Sequence, residues 1–272
     1  LRSLRVPRNW SGDAVDSLVI VAPEMLSRIW WPFCRILAAL SAAPIIGENT
    51  VPMRMRVAIA LLLACVTLPV VDTIDVLVFS VQGTLVAAEQ ILIGLLFGMM
   101  FHFVQAVFMM LGYIVASQMG LAMAVMNDPL NGTSSDVVSG LMLVVSILLF
   151  FSVDAHLVVT QVLYASFRVW PIGEPVDLVS LKPVAYQVSW LFSTTTLLAA
   201  PLVFSTLVLQ IGKSYLSRAT PSINLFSLGF AVTTIFGLLM LGHMVKTLPS
   251  HYVHMTQHIL EVLDHHLAAG RG

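Results

Sequence analysis

From Leu77 to Met119 the chain is apolar nearly throughout and contains no proline. A helix that crosses a bilayer needs only about 20 such residues, so one simple span does not account for this run. Glu89, Gln90, His102 and Gln105 recur along it. Polar and ionisable side chains inside an apolar run face protein or a wet cavity, because lipid cannot satisfy them. Gly94 and Gly98 form a small-xxx-small pair that lets another helix approach closely. The run therefore predicts a long helix or a bent hairpin, packed mainly against other protein and extending beyond the bilayer.

The run ends in Gln118-Met-Gly-Leu-Ala-Met-Ala-Val-Met-Asn-Asp-Pro-Leu-Asn-Gly-Thr133, which breaks the helical pattern. Gly120 loosens the backbone, Asp128-Pro129 removes a donor and disfavours helix before it, and Asn131-Gly132 signals a turn. Yet Met119, Leu121, Met123, Val125 and Met126 make its first half oily and flexible. That pattern predicts a loop buried in protein or lining a cavity rather than a solvated surface loop.

Hydrophobic residues make up 58% of the 272 and charged residues 10%, against roughly 45–50% and 25% in soluble domains. With helical patterning throughout, the expectation is an all-α, polytopic protein of the membrane class, built from helical hairpins. A formal charge of −1 without a long basic run argues against a nucleic-acid partner. Cys34 and Cys65 both sit in apolar runs and read as buried, reduced thiols. Arg2, Arg5 and Arg8 give the start the look of a signal peptide's basic region, but Asp13, Asp16 and Glu24 interrupt the apolar core that should follow. Residues 1–13 are expected to be a basic extension.

Arg28 and Arg35 lie seven apart and so share a helix face. They suit either a solvated or headgroup-facing stripe, or a face docked on acidic groups of a partner. Arg54 and Arg56, after Pro52, are most simply cytoplasmic-side anchors of the helix that follows. Val137 to Val153 and Leu157 to Phe167 read as a helical hairpin with Asp154 and His156 near its tip. The Pro/Gly-rich stretch from Pro171 to Pro183 marks a boundary between residues 14–175 and 176–272. Beyond it, Tyr186 to Ile211 and Ile223 to Val245 are two apolar helices joined by a basic hinge from Gly212 to Pro221. A terminal amphipathic helix from Pro249 to Ala268 carries His251, His254, His258 and His265 on one face. Those histidines suit a solvent face or, alternatively, a metal or pH-sensing site.

No phosphate-binding loop, dinucleotide fingerprint, nucleophile elbow or HExxH helix is present, and Asp154/His156 has no nucleophile beside it in a recognisable motif. No catalytic, cofactor-binding or metal-ligating residue is therefore assigned. Glu89, His102, Asp154 and His156 keep one alternative open, a secondary transporter for a small solute. Such proteins are usually built from two related halves, and this sequence shows no internal repeat. An intramembrane hydrolase is a third class, and it lacks its nucleophile or metal pattern.

Several unusual strings then coincide in order: Ala43-Pro44 to Val51-Pro52 with Arg54 and Arg56; Glu89-Gln90-Ile-Leu-Ile-Gly94; Gln118 to Ala124 with Asp128-Pro129; Phe150 to His156; Ser166-Phe167 with Pro171-Ile-Gly173; and Arg218-Ala-Thr-Pro221-Ser-Ile-Asn224 to Phe230. Through these strings the chain resembles the FliR/SctT family of flagellar and type III secretion export gate proteins. The resemblance implies a gate subunit in the bacterial inner membrane at the flagellar basal body. It implies a FliP-like first part fused to a FliQ-like hairpin, and assembly with FliP-like and FliQ-like subunits and an FlhB-like protein around a path for unfolded flagellar proteins. Residues 118–134 would correspond to the family's plug loop, with Met119, Gly120, Leu121, Met123, Met126, Asp128, Pro129 and Gly132 as its parts. Glu89, Gly94, Gly98, Arg54, Arg56, Arg218, Pro221 and Asn224 would serve assembly and packing, with Glu89 paired to a basic group such as Lys213, Arg218 or one on a partner.

Overall fold

The computed structural model describes residues 28–47, 51–69, 71, 76–121, 137–173, 182–220 and 225–269, without the side chains of 182–183, 225–228 and 264–269. All regular structure among them is helical. In chain order the helices are α1 (28–42), α2 (Met53–Thr67), α3 (Val81–Gln118), α4 (Val137–Ser152), α5 (Ala155–Val169), α6 (Lys182–Ala219), α7 (Leu225–Met244) and α8 (Leu248–Ala269).

The long apolar run is one continuous helix. At 38 residues and 1.5 Å per residue, α3 is about 57 Å long, nearly twice the roughly 30 Å hydrocarbon core. α6 has the same length. These two helices are long and apolar enough to cross a membrane, and the α4–α5 and α7–α8 pairs would be two more if each bent pair counts as one span.

Two expectations about turns are corrected. α4 and α5 do not form a hairpin; they meet at a 67° bend. Only Val153 and Asp154 separate them, and Asp154 alone takes the left-handed conformation, at φ 54°. Its carbonyl then accepts the first bonds of α5, from the Leu157 amide at 2.9 Å and the Val158 amide at 3.4 Å. A short side chain makes that single left-handed residue tolerable, but two residues are too few to reverse a helix. Nor is Gly212 a hinge, because α6 continues through it to Ala219. One glycine costs a helix about 1 kcal/mol, which does not stop it, whereas Thr220 precedes Pro221 and is disfavoured from helical geometry.

The chain folds as two compact units. The first takes the described residues through Met99, with 160–173 and 267–269; the second takes those of 100–159 and 182–266. α3 contributes its first half to one and its second half to the other.

In the first unit α1 lies against the glycine face of α3. A β-carbon at Gly94 would run into the Arg35 carbonyl and Ala38, and one at Gly98 into the Ala39 carbonyl and Ala42. Two glycines thus meet three alanines, and the backbones approach closely enough for extensive dispersion contact. Ile36, Leu40, Ala60, Ala64 and Phe167 form an apolar cluster that joins α1, α2 and α5. Cys34 is buried as expected, but Cys65 is exposed, because α2 buries only its Ala60, Ala64 and Thr67 face.

In the second unit the latter part of α3 is buried through Val107, Phe108, Leu111, Val115 and Ala116. Gly112 admits α4 at Ser139 and Met142, and Phe108 packs on Tyr252 of α8 with ring centroids 5.5 Å apart. α6 and α7 pack along each other as a hairpin.

Candidate functional site

The C-terminal end of α3 carries the start of the oily break, and its geometry is well defined. The Gly120 amide donates to the Ser117 carbonyl at 3.1 Å, and the Leu121 amide reaches back to Ala116 at 3.0 Å. Gly120 has φ 78°. That bond pair around a left-handed glycine is a Schellman motif, in which the final carbonyls of a helix are satisfied as the chain turns away. Gly120 therefore terminates the helix in a fixed direction rather than loosening it.

Three side-chain contacts hold this terminus in the second unit. Met119 is fully buried, and its side chain fills the space that a β-carbon on Gly237 of α7 would take. The Thr234 hydroxyl donates to the Met119 carbonyl at 3.3 Å. The Thr206 hydroxyl of α6 donates to Gln118 Oε1 at 2.8 Å, and Thr206 is itself buried. On the return side, α4 begins at Val137, with Val138 buried and Met142 fully buried. The intervening segment is thus entered and left at anchored helix ends. Met123, Met126, Asp128, Pro129 and Gly132 lie outside the described residues; of the candidate plug residues, Met119, Gly120 and Leu121 lie within them.

The candidate packing residues are spread more widely. Gly94 and Gly98 sit on the α1 contact. Arg54 is exposed in the first turn of α2 and Arg56 is half-buried. Glu89 is half-buried, and no basic side chain pairs with it among the described residues. Lys213 lies instead within 3.5 Å of the Gly229 carbonyl, and Arg218 is exposed near the end of α6. Pro221 and Asn224 fall outside the described residues.

The sequence reading missed Arg35. Neither a solvated stripe nor an acidic dock describes it: Arg28 is exposed, while Arg35 is fully buried in the first unit. Its Nε donates to Gln90 Oε1 at 2.8 Å, Nη1 to Ser166 Oγ at 3.2 Å, and Nη2 to the Trp170 carbonyl at 2.8 Å. The guanidinium also lies 4.4 Å from the centre of the Phe167 ring. A planar fork of donors can hold three neutral acceptors from α3, α5 and the turn after it while stacking on an aromatic face. Gln90, a neutral partner two turns from Gly98, was the available signal, but spacing arguments look for carboxylates opposite arginines.

Other polar groups divide in the same unforeseen way. Asp154 is exposed, and the His156 ring packs on Phe150 and Phe151, so the two do not form a catalytic pair. Gln105 is buried, and neither end of its amide has a hydrogen-bond partner among the described residues. On α8, His251 and His254 are exposed, but His258 leaves the solvent face. It stacks on Trp190 of α6 with centroids 4.8 Å apart, and its Nε2 lies 3.3 Å from Gln187 Oε1. Among the described residues no group of three or more His, Cys, Asp or Glu side chains gathers to hold a metal ion.

Comparison with known proteins adds the lineage. A family model for bacterial export proteins, family 1, matches residues 26–259. A flagellar biosynthetic protein FliR of Escherichia coli K12 is 30% identical over 239 residues, covering 88% of this chain and 92% of that protein. The FliR of Pectobacterium carotovorum is 29% identical over the same coverage. A Yop proteins translocation protein T of Yersinia pestis is 30% identical over 172 residues, 61% of this chain and 65% of that protein.

Proposed function

The chain belongs to the bacterial export proteins, family 1, and from that premise we propose that it is the flagellar export gate subunit that helps form and plug the channel for unfolded flagellar proteins. The observation that carries this reading is the FliR similarity across 88% of the chain. That the protein is a membrane component of a flagellar or type III export apparatus follows from this kinship and from its long apolar helices.

The finer parts of the reading are physical. Residues 118–134 would act as the seal, fixed at its start by the Met119 and Gly120 contacts and followed by α4 from Val137. A closed export channel needs an apolar plug that excludes ions yet yields to a passing chain, and methionine supplies bulk without rigidity. FliP-like and FliQ-like subunits and an FlhB-like protein are the proposed neighbours, and the bacterial inner membrane at the flagellar base is the proposed location. The first part of the chain, residues 14–175, would be FliP-like, and 176–272 FliQ-like.

Two measurements test the reading. Deleting the gene should abolish secretion of flagellar subunits, with export restored by the wild-type copy; normal secretion in the deletion strain would overturn it. Shortening residues 122–134 should raise small-ion conductance of membranes carrying the assembled gate. An unchanged conductance would remove the seal from the proposal while leaving the export role intact.

A further inference from the structure

Within the first unit α2 and α5 leave a cleft between them. Its volume, about 490 Å³, falls within the roughly 300–1,000 Å³ of small-ligand sites. Its walls are of two kinds. Leu63 and Val66 of α2, with the buried Ile36 and Phe167, give it apolar surface. α5 brings Gln161, Tyr164 and Arg168, whose spacing of three and four places them on one helix face, the one that lines the cleft. Of the described lining residues Arg168 alone is charged, and none is acidic.

Two observations make the ligand an anion. Arg168 is exposed at the cleft with no carboxylate among the described residues that line it. Arg35 stands against Phe167, a wall residue, and its three hydrogen-bond acceptors are all neutral. A buried charge without a described counter-ion acts further than the same charge in water. Position makes the ligand a lipid. The α4–α5 pair passes as one bent span, and Arg168 is the last residue but one of α5, followed at once by Trp170 and Pro171. Arginine and tryptophan at the end of an apolar helix lie at headgroup depth. From Arg168 the cleft runs back along α5 to Thr160, about 12 Å at 1.5 Å per residue, the course an acyl chain takes into the bilayer. A soluble anion would meet Arg168 but leave the apolar walls wet, and an apolar helix laid in the cleft would bury Arg168 and Gln161 without partners.

We propose that this cleft binds one anionic phospholipid of the surrounding membrane, with its phosphate on Arg168 and an acyl chain against Leu63 and Val66. Basic pockets between membrane helices hold anionic head groups in this way. Tyr164 and Gln161, one and two turns back from Arg168, supply donors for the ester oxygens that join head group to chains. The proposal needs the chain's membrane character and nothing of the export reading.

The test uses the full chain with whatever native partners it retains, purified in detergent and titrated with phosphatidylglycerol or phosphatidylcholine while native mass spectrometry counts bound lipid. One phosphatidylglycerol should be retained in preference to phosphatidylcholine. Arg168→Gln should lower that retention about fivefold, the worth of one basic residue at an anionic surface. Arg28→Gln, an exposed arginine outside the cleft, should leave it unchanged. Equal retention of the two lipids, or the same fall for both substitutions, would overturn the proposal. Glycerol phosphate, a head group without chains, should not displace the bound lipid; if it does, the site is one for free phosphate and the lipid assignment fails. In cells, photoreactive benzoylphenylalanine in place of Val66 should give a phospholipid adduct on irradiation. A protein adduct alone would mean that a helix covers the cleft and would overturn the proposal, while leaving the export reading as it stands.

Discussion

α3 is held in two different ways along its length. In the first unit its glycines lie on the alanines of α1 while the buried Arg35 ties Gln90, Ser166 and the Trp170 carbonyl together. In the second unit its end is held by a methionine seated on a glycine, with two hydroxyl bonds at the margin. A charged fork with three directional bonds has one good arrangement, so the first region should be stiff and fail all at once. Thioether packing has many near-equivalent arrangements, so the second should yield gradually.

The sharpest way to break this contrast is at Arg35. Arg35→Ala should leave Gln90, Ser166 and the Trp170 carbonyl without their buried donor and open a cavity, costing on the order of 3–5 kcal/mol. The expected outcome is loss of folded protein, read as a large fall in thermal stability in detergent and in membrane accumulation. Arg35→Lys should fail almost as badly, since one ammonium cannot reproduce the fork. A Lys variant of wild-type stability would show that charge alone, not the bond geometry, holds this region.

At the compliant end the expected effects are smaller and coupled. Met119→Ala should cost about 2–3 kcal/mol, toward the low side for a buried side chain, because neighbours in a soft site collapse inward. Gly237→Ala pushes a methyl into the Met119 side chain and should cost about 1–3 kcal/mol by overpacking. Combined, the two changes should be less damaging than their sum, since each makes room for the other. Additive losses in thermal unfolding of the four proteins of this cycle would mean that Met119 and Gly237 do not share the site as described.

Much of the architecture was legible because apolar length and proline placement act locally. The unbroken α3 needed only an apolar run without proline, and α7 and α8 lie within a few residues of their expected bounds. Faces were harder. α3 is apolar on both sides, so periodicity could not say that Ile93 is buried while Leu92 is exposed. Arg35 was misread because an arginine seven residues from Arg28 looks like a surface stripe until Gln90 and Ser166 are brought to it from far along the chain. Gly237 and Thr234 carried no signal of their own; they matter through Met119, more than a hundred residues away. Gly120 was noticed for the right reason, its backbone freedom, and given the wrong consequence.

That consequence yields the smallest and most specific test. Gly120 has φ 78°, and a β-carbon there would sit 3.5 Å from the Phe230 ring, which is ordinary contact. Sterics with neighbours are therefore not the obstacle to Gly120→Ala; the left-handed backbone is. Holding a side-chain-bearing residue in that region costs about 1–2 kcal/mol, whereas the same change in a flexible joint would be neutral or slightly stabilising. Gly120→Asn should recover part of the loss, because asparagine tolerates the left-handed region. A fall in unfolding temperature for Ala, with a partial return for Asn, is the outcome expected of a Schellman stop at the end of α3. If Ala were as stable as glycine, the end of α3 would be a loose joint, and the compliance assigned to its Met119 packing would belong to the backbone at Gly120 instead.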